Sequence, residues 1–144
     1  MKSAWFKNTL LTAVVSIALF ACKDDNKPTP TTPPAIGGTG GMATMRVIAD
    51  ANGIKVDSGK VYIKYDAEVI PANNQYDDSA KIKIVDGTPM AIFTELKEGN
   101  YFLYIKGWDI IRSQTIWGNM AYTLPASAKK GLVYVTVPVR PTQQ

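Results

Sequence analysis

The chain is predicted to be an all-β protein, with a single antiparallel β-sandwich of about seven strands following an N-terminal leader and tether. Three observations lead there. Apolar and polar residues alternate at period two through most of residues 43–140, the pattern of a strand with one buried face. These runs are rich in Val, Ile, Thr, Tyr and Phe, which fit a pleated, half-buried surface. Turn signals separate them at fairly regular intervals, and no segment carries a convincing helical period. Internal repeats are not visible.

In chain order, "ATMRVIAD" (43–50) runs to Asn52-Gly53, a pair suited to a tight hairpin turn. "KVYIKYD" (60–66) puts Val61, Ile63 and Tyr65 on one face. "KIKIVDG" (81–87) sets Ile82 and Ile84 against Lys81 and Lys83 and stops at Asp86-Gly87. "MAIFTEL" (90–96) follows. "YFLYIKG" (101–107) puts Tyr101, Leu103 and Ile105 on one face, and "SQTIWGNMAYTL" (113–124) reads as a less regular strand or pair. "GLVYVTVPV" (131–139) closes with Val133, Val135 and Val137 together. The strand region, residues 42–141, is near the usual domain size and long enough for one apolar core.

Composition excludes more than it suggests. The chain has 144 residues, no histidine and one cysteine, so it offers no histidine-based triad, histidine metal site, disulfide or cysteine cluster. Its net charge is +4, but Lys2 and Lys7 belong to the extreme N-terminus. Without them the side chains carry 14 basic and 12 acidic groups. No run of Lys or Arg resembles a phosphate-tracking stripe, so no nucleic-acid partner is expected. No cofactor is implied.

The N-terminus reads as a secretory leader over residues 1–21. Lys2 and Lys7 supply its positive start, and "TLLTAVVSIALFA" (9–21) its apolar stretch, shorter than the roughly 20 residues a membrane-spanning helix needs. Leu19-Phe20-Ala21-Cys22 resembles the bacterial lipobox, with Phe20 departing from the usual small or β-branched residue. The resemblance implies that the Cys22 thiol receives a diacylglyceryl group and that cleavage occurs just before it. Two or three acyl chains anchor stably, at about 0.8 kcal/mol per buried methylene. Lys23-Asp24-Asp25 resembles the surface-export signal of Bacteroidota-type lipoproteins, which implies an outer-membrane protein facing outward. "PTPTTPP" favours extended polyproline II, and "GGTGG" (37–41) is flexible by composition. Residues 22–41 are therefore expected to be a lipidated tether, with the membrane as partner through the anchor.

Two motifs point to a known architecture. "RVIADANGIKVDSGKVYIKYD" places Asp50, Gly53 and Gly59 ahead of a strand starting at Val61. "LKEGNYFLYIKG" reads Leu96-x-x-Gly99-x-Tyr101-x-Leu103-x-Ile105. Together they resemble the carboxypeptidase regulatory-like, transthyretin-like sandwich, whose motifs are shared with other Ig-like sandwiches. In that family the glycine turns the chain into a strand and the tyrosine packs at the sheet corner. The sequence departs from the family at Val56, often proline there, and in the long "AEVIPANNQYDDSA" segment.

Three groups of residues are candidate sites. Asp66, Glu68, Asp77 and Asp78, with Asn73 and Asn74, could offer oxygen ligands to calcium, but their spacing matches no calcium loop, and turns are rich in such residues. No metal site is assigned. Tyr104, Trp108, Trp117 and Tyr122 fall close together in sequence, and aromatic platforms recognise sugars and proteins. Trp108 is expected to be the exposed anchor, with Gly107 and Gly118 letting the backbone turn the rings outward and Asp109 pairing locally with Arg112. For catalysis, Ser58, Ser79, Ser113 and Ser127 lack a histidine base, and Tyr101 reads as structural. The expectation is a non-catalytic, surface-anchored binding or accessory module whose partner is an envelope protein or a glycan. The alternative is a structural component of a secretion or fimbrial assembly that uses β-edge pairing.

Overall fold

The computed structural model describes residues 35–142. The leader, Cys22 and Lys23-Asp24-Asp25 lie outside the described residues. Among the described residues ten strands run in chain order: β1 (Thr39–Ala51), β2 (Ile54–Lys55), β3 (Gly59–Tyr65), β4 (Asp78–Lys81), β5 (Lys83–Val85), β6 (Thr88–Leu96), β7 (Gly99–Asp109), β8 (Gln114–Leu124), β9 (Leu132–Pro138) and β10 (Arg140–Pro141). Among the described residues no helix is long and apolar enough to cross a membrane.

The strands form two sheets. In the first, β1 lies between β6 and β9, with β2 at its end and β5 beyond β6. The second has the order β10-β8-β7-β3-β4. Among the described residues every pairing is antiparallel except one: β9 runs parallel to β1, from Thr44 opposite Leu132 to Asp50 opposite Pro138. The fold is thus all-β with two sheets around a shared core, and the expected purely antiparallel arrangement is broken by this one pair.

Period-two alternation explains the core directly. Along β1, Ala43, Met45, Val47, Ala49 and Ala51 are buried and their neighbours are not. Val61 and Ile63 of β3, Tyr101, Leu103 and Ile105 of β7, and Val135 and Val137 of β9 meet them from both sheets. Burying each large aliphatic side chain of this set contributes roughly 1.5–3 kcal/mol. Tyr101 is fully buried; its hydroxyl donates to the Lys97 carbonyl at 2.5 Å and accepts from the Gly38 N–H at 3.0 Å. Burial pushes this phenol above its ordinary pKa, against the opposing effect of its backbone hydrogen bonds, so it remains a neutral donor.

Three expectations are corrected. First, β1 begins at Thr39, inside the segment read as flexible tether. A Cβ on Gly37 would collide with the Asn100 carbonyl, and one on Gly41 with that of Leu96. These glycines serve close backbone approach rather than a swivel. A register shift in the β1–β6 ladder and the left-handed φ of 58° at Glu95 mark a bulge here.

Second, "KIKIVDG" is not one strand. β4 pairs with β3 in the second sheet, and β5 with β6 in the first. The chain changes sheets at Ile82, which is buried, whereas Ile84 is 69% exposed. Third, "SQTIWGNMAYTL" is a single strand, β8, in register with the whole of β7. The chain changes sheets again at Val139, whose N–H donates to the Asp50 carbonyl at 2.8 Å before β10 pairs with β8.

Candidate functional site

In β7 the inward residues are Tyr101, Leu103 and Ile105, so Tyr104, Lys106 and Trp108 point to the outer side of the second sheet. In β8, Ile116, Gly118 and Leu124 are inward and Trp117 is outward. Three of the four aromatic residues singled out from sequence therefore share one outer face. Tyr122 does not: it lies on the inner parity of β8 and packs against the core. Two-residue periodicity separates it from Trp117 although the two are close in sequence.

Trp108 is 46% exposed. It sits beside the β7–β8 turn, where Ile110 and Ile111 are also exposed. The turn is held by Asp109, whose carboxylate accepts from the Arg112 N–H and from its guanidinium, each at 3.0 Å. The backbone hydrogen bond from Arg112 lowers the Asp109 pKa first, with the Arg112 side chain adding to it against a burial effect that raises it. The expected Asp109–Arg112 pair is present.

The two glycines flanking the tryptophans act otherwise than expected. Gly107 and Gly118 lie within regular strands. A Cβ on Gly107 would come 2.5 Å from the Ser58 carbonyl, and one on Gly118 would strike the carbonyl of Pro138. They admit a neighbouring backbone rather than bend their own.

The long segment between β3 and β4 forms one wall over this face. Asp66 N–H donates to the Asn100 carbonyl at 2.8 Å, and the Asn100 side-chain amide donates to Glu68 at 2.7 Å. Tyr76 then stacks on Tyr104, ring centroids 5.7 Å apart and planes 17° apart, and meets Tyr62 at 5.4 Å. Asp77 is held by Lys64 at 2.8 Å and by the Tyr65 N–H at 2.7 Å. Burial acts to raise its pKa, but these hydrogen bonds and the Lys64 charge outweigh it and lower it. The side chains of Glu68 and Asp77 are thus engaged with protein groups, and among the described residues no group of three or more His, Cys, Asp or Glu is placed to hold a metal ion.

Between this wall and the β7–β8 turn lies an open groove of about 980 Å3. Ile70 and Asn74 line one side; Trp108 and Arg112 the other; Tyr104, Lys106 and Trp117 form the floor. Among the described residues no Asp or Glu lines it. Arg140 lies over the Trp117 ring, 4.4 Å from the guanidinium carbon to the centroid. Sequence reasoning missed Tyr62, Tyr76 and Arg140. The parity of "KVYIKYD" already put Tyr62 on the outer side, whereas Tyr76 and Arg140 reach it only through tertiary contacts.

No family model, curated protein or solved structure matches the chain.

Proposed function

We propose that the chain is a surface-anchored, non-catalytic lipoprotein acting as a binding module of the cell envelope, its partner seated in the groove on the outer face of the second sheet. The observation that carries this reading is the exposed Trp108 at the rim of a groove floored by Tyr104 and Trp117. Large flat apolar surfaces with few rotatable bonds give much contact at low entropic cost. The absence of histidine supports a non-catalytic role.

The polarity of the domain supports display. Residues 35–37 pack against Gly99 at the start of β7, and Trp108 lies near its other end. At about 3.4 Å per residue the two are roughly 30 Å apart. A chain tethered through residues before 35 thus carries the groove on the side away from its anchor. What supports the transthyretin-like reading is Gly59 at the start of β3 and the buried Tyr101 whose hydroxyl bonds the Lys97 and Gly38 backbone.

Trp108→Ala is expected to weaken binding to the partner by roughly thirtyfold, because a central aromatic anchor costs about 2 kcal/mol or more when truncated. Its melting temperature should stay near that of the wild type, since a half-exposed ring contributes little to the core. Binding is read by titrating the protein with a panel of purified neutral and acidic polysaccharides. A large loss of stability, or unchanged binding to every saccharide the wild type holds, sinks the assignment. For the anchor, Cys22→Ser is expected to abolish incorporation of labelled fatty acid in cells and to leave the protein out of the membrane fraction. Acylated protein recovered from that variant removes the lipoprotein reading.

A second reading, assembly through strand pairing, is favoured by β9. Among the described residues this seven-residue strand pairs only with β1, and Leu132 and Tyr134 on it are exposed. A single monomeric species in sedimentation across a wide concentration range argues against self-assembly by this edge.

A further inference from the structure

We propose that the outer face of the second sheet binds a linear acidic polysaccharide, laid across the strands along a row of four cations. This rests on the binding-module reading above and names its ligand class.

The row comes from the strand register. Lys81 of β4 stands opposite Lys60 of β3, and Lys60 opposite Lys106 of β7. Lys106 stands opposite Trp117 of β8, and Trp117 opposite Arg140 of β10. Directly paired residues point to the same side of a sheet, so four cations and one tryptophan cross all five strands in a single line. Like charges placed directly opposite one another destabilise a sheet, and here no acid is interleaved. Among the described residues Arg46, Lys64 and Arg112 each pair with a carboxylate, whereas none of the four row cations does. A local conflict of this kind, with no carboxylate inside the fold to neutralise it, marks a surface made for something outside it.

The chemistry of the row favours a carboxylated or sulfated saccharide. Strands are about 4.8 Å apart, so the row spans about 19 Å from Lys81 to Arg140. That spacing is close to the rise of one pyranose ring in an extended polysaccharide, which presents one charge per ring when it is a polyuronate. Lys60 is held over the Tyr62 ring at 5.3 Å, and the Arg140 guanidinium carbon lies over the Trp117 ring, 4.4 Å from its centroid. A stacked guanidinium keeps its edge N–H groups free for a carboxylate. Trp108 and Tyr104 stand two residues to either side of Lys106 on β7, and Trp108, the exposed one of the two, offers ring surface to sugar C–H groups.

A nucleic acid fits less well. Base stacking needs open aromatic faces, but Tyr62, Tyr76 and Tyr104 pack on one another and Arg140 covers Trp117. The secretory leader read from the sequence also points to an environment where acidic glycans are the prevalent polyanions.

The test titrates the full-length protein, in mild detergent, with polygalacturonate, neutral dextran and poly(dT). Binding to polygalacturonate that weakens as salt rises, with none to dextran, is expected. The double variant Lys60→Gln, Lys106→Gln is expected to lose about tenfold in affinity and to flatten the salt dependence. Its melting temperature should hold or rise, because neighbouring like charges are removed; a merely structural role for these lysines predicts a fall. The same charge change at the exposed Lys129 and Lys130, outside the row, should leave affinity within about twofold. Absence of binding to polygalacturonate, or an equal loss in the Lys129, Lys130 pair, overturns the proposal. So does tighter binding to poly(dT), which makes the face a nucleic-acid site. Equal binding to dextran and polygalacturonate, lost in Trp108→Ala, overturns the charge row while leaving the groove as a binding site. Loss in the row variant without loss in Trp108→Ala supports the row and removes Trp108 as its anchor.

Discussion

Tyr101→Ala is expected to leave little folded protein at 37 °C, and Tyr101→Phe to lower the melting temperature by on the order of 10 °C. The alanine variant loses a fully buried aromatic side chain, which costs about 3–5 kcal/mol, and the hydroxyl's hydrogen bonds as well. Domains of this size have only about 5–15 kcal/mol in total. The phenylalanine variant keeps the ring, including its edge contact with Tyr65 at 5.9 Å, and isolates the hydroxyl. That hydroxyl ties the Lys97 carbonyl, just before β7, to the Gly38 N–H, just before β1. Leaving such part-buried groups unpaired costs about 1–3 kcal/mol, and each kcal/mol shifts the midpoint of a small domain by about 4–8 °C. Chain length provides the internal check. In a chain beginning at residue 42, Gly38 is gone, so Tyr101→Phe should cost less than it does in a chain beginning at residue 35. Thermal melts of the four proteins form a double-mutant cycle. An equal cost in both lengths would show that the hydroxyl does not fasten the N-terminal segment.

Gly118→Ala is expected to destabilise by about 3 kcal/mol and to disturb the proposed binding face as well. Gly118 faces the interior where the chain passes from β9 to β10. A methyl group there would strike the Pro138 carbonyl and come 2.8 Å from a Val139 side-chain carbon and 3.0 Å from its Cα. Backbone cannot rotate away as a side chain can, so the cost falls at the upper end of the usual 1–3 kcal/mol for overpacking. The relief available is to push β10 outward, and β10 carries the guanidinium that covers Trp117. Trp117 should then become more solvent-exposed, seen as a red shift in tryptophan emission and faster acrylamide quenching. Gly131→Ala serves as the control, since the nearest atom to its added methyl is 3.6 Å away, an ordinary contact. If both variants melt together, the chain crossing at Pro138-Val139 is not the tight point of the fold.

These expectations separate what is legible in one dimension from what is not. Strand parity is local: successive side chains point to opposite faces. The inward sets of β3, β7 and β9 were therefore readable as Val61 and Ile63, as Tyr101, Leu103 and Ile105, and as Val135 and Val137. The same rule predicts that Trp108 and Tyr104 share a face. It also separates Trp117 from Tyr122, a step that closeness in sequence obscured. The absence of histidine likewise limits the chemistry without any structure.

Composition misled where a residue's role depends on its neighbours. "GGTGG" reads as flexible because glycine lacks a Cβ, but the same lack lets Gly37 and Gly41 press against the backbones of Asn100 and Leu96. "KIKIV" reads as one alternating strand, but the chain changes sheets at Ile82, so Ile84 emerges into solvent. Alternation describes a face only as long as the chain stays in one sheet.

By itself, then, the sequence determined the all-β class, the inward face of each long strand, and the exclusion of histidine-based chemistry. The tertiary structure alone decided that Lys81, Lys60, Lys106 and Arg140 stand in one line. Those four residues come from four strands, and nothing local relates position 60 to 81 or 106 to 140. Register is set by the combined burial of the opposite faces of those strands, because slipping any one of them by a residue would turn its apolar set to solvent. The packing of the inner face thus fixes the charge pattern of the outer one.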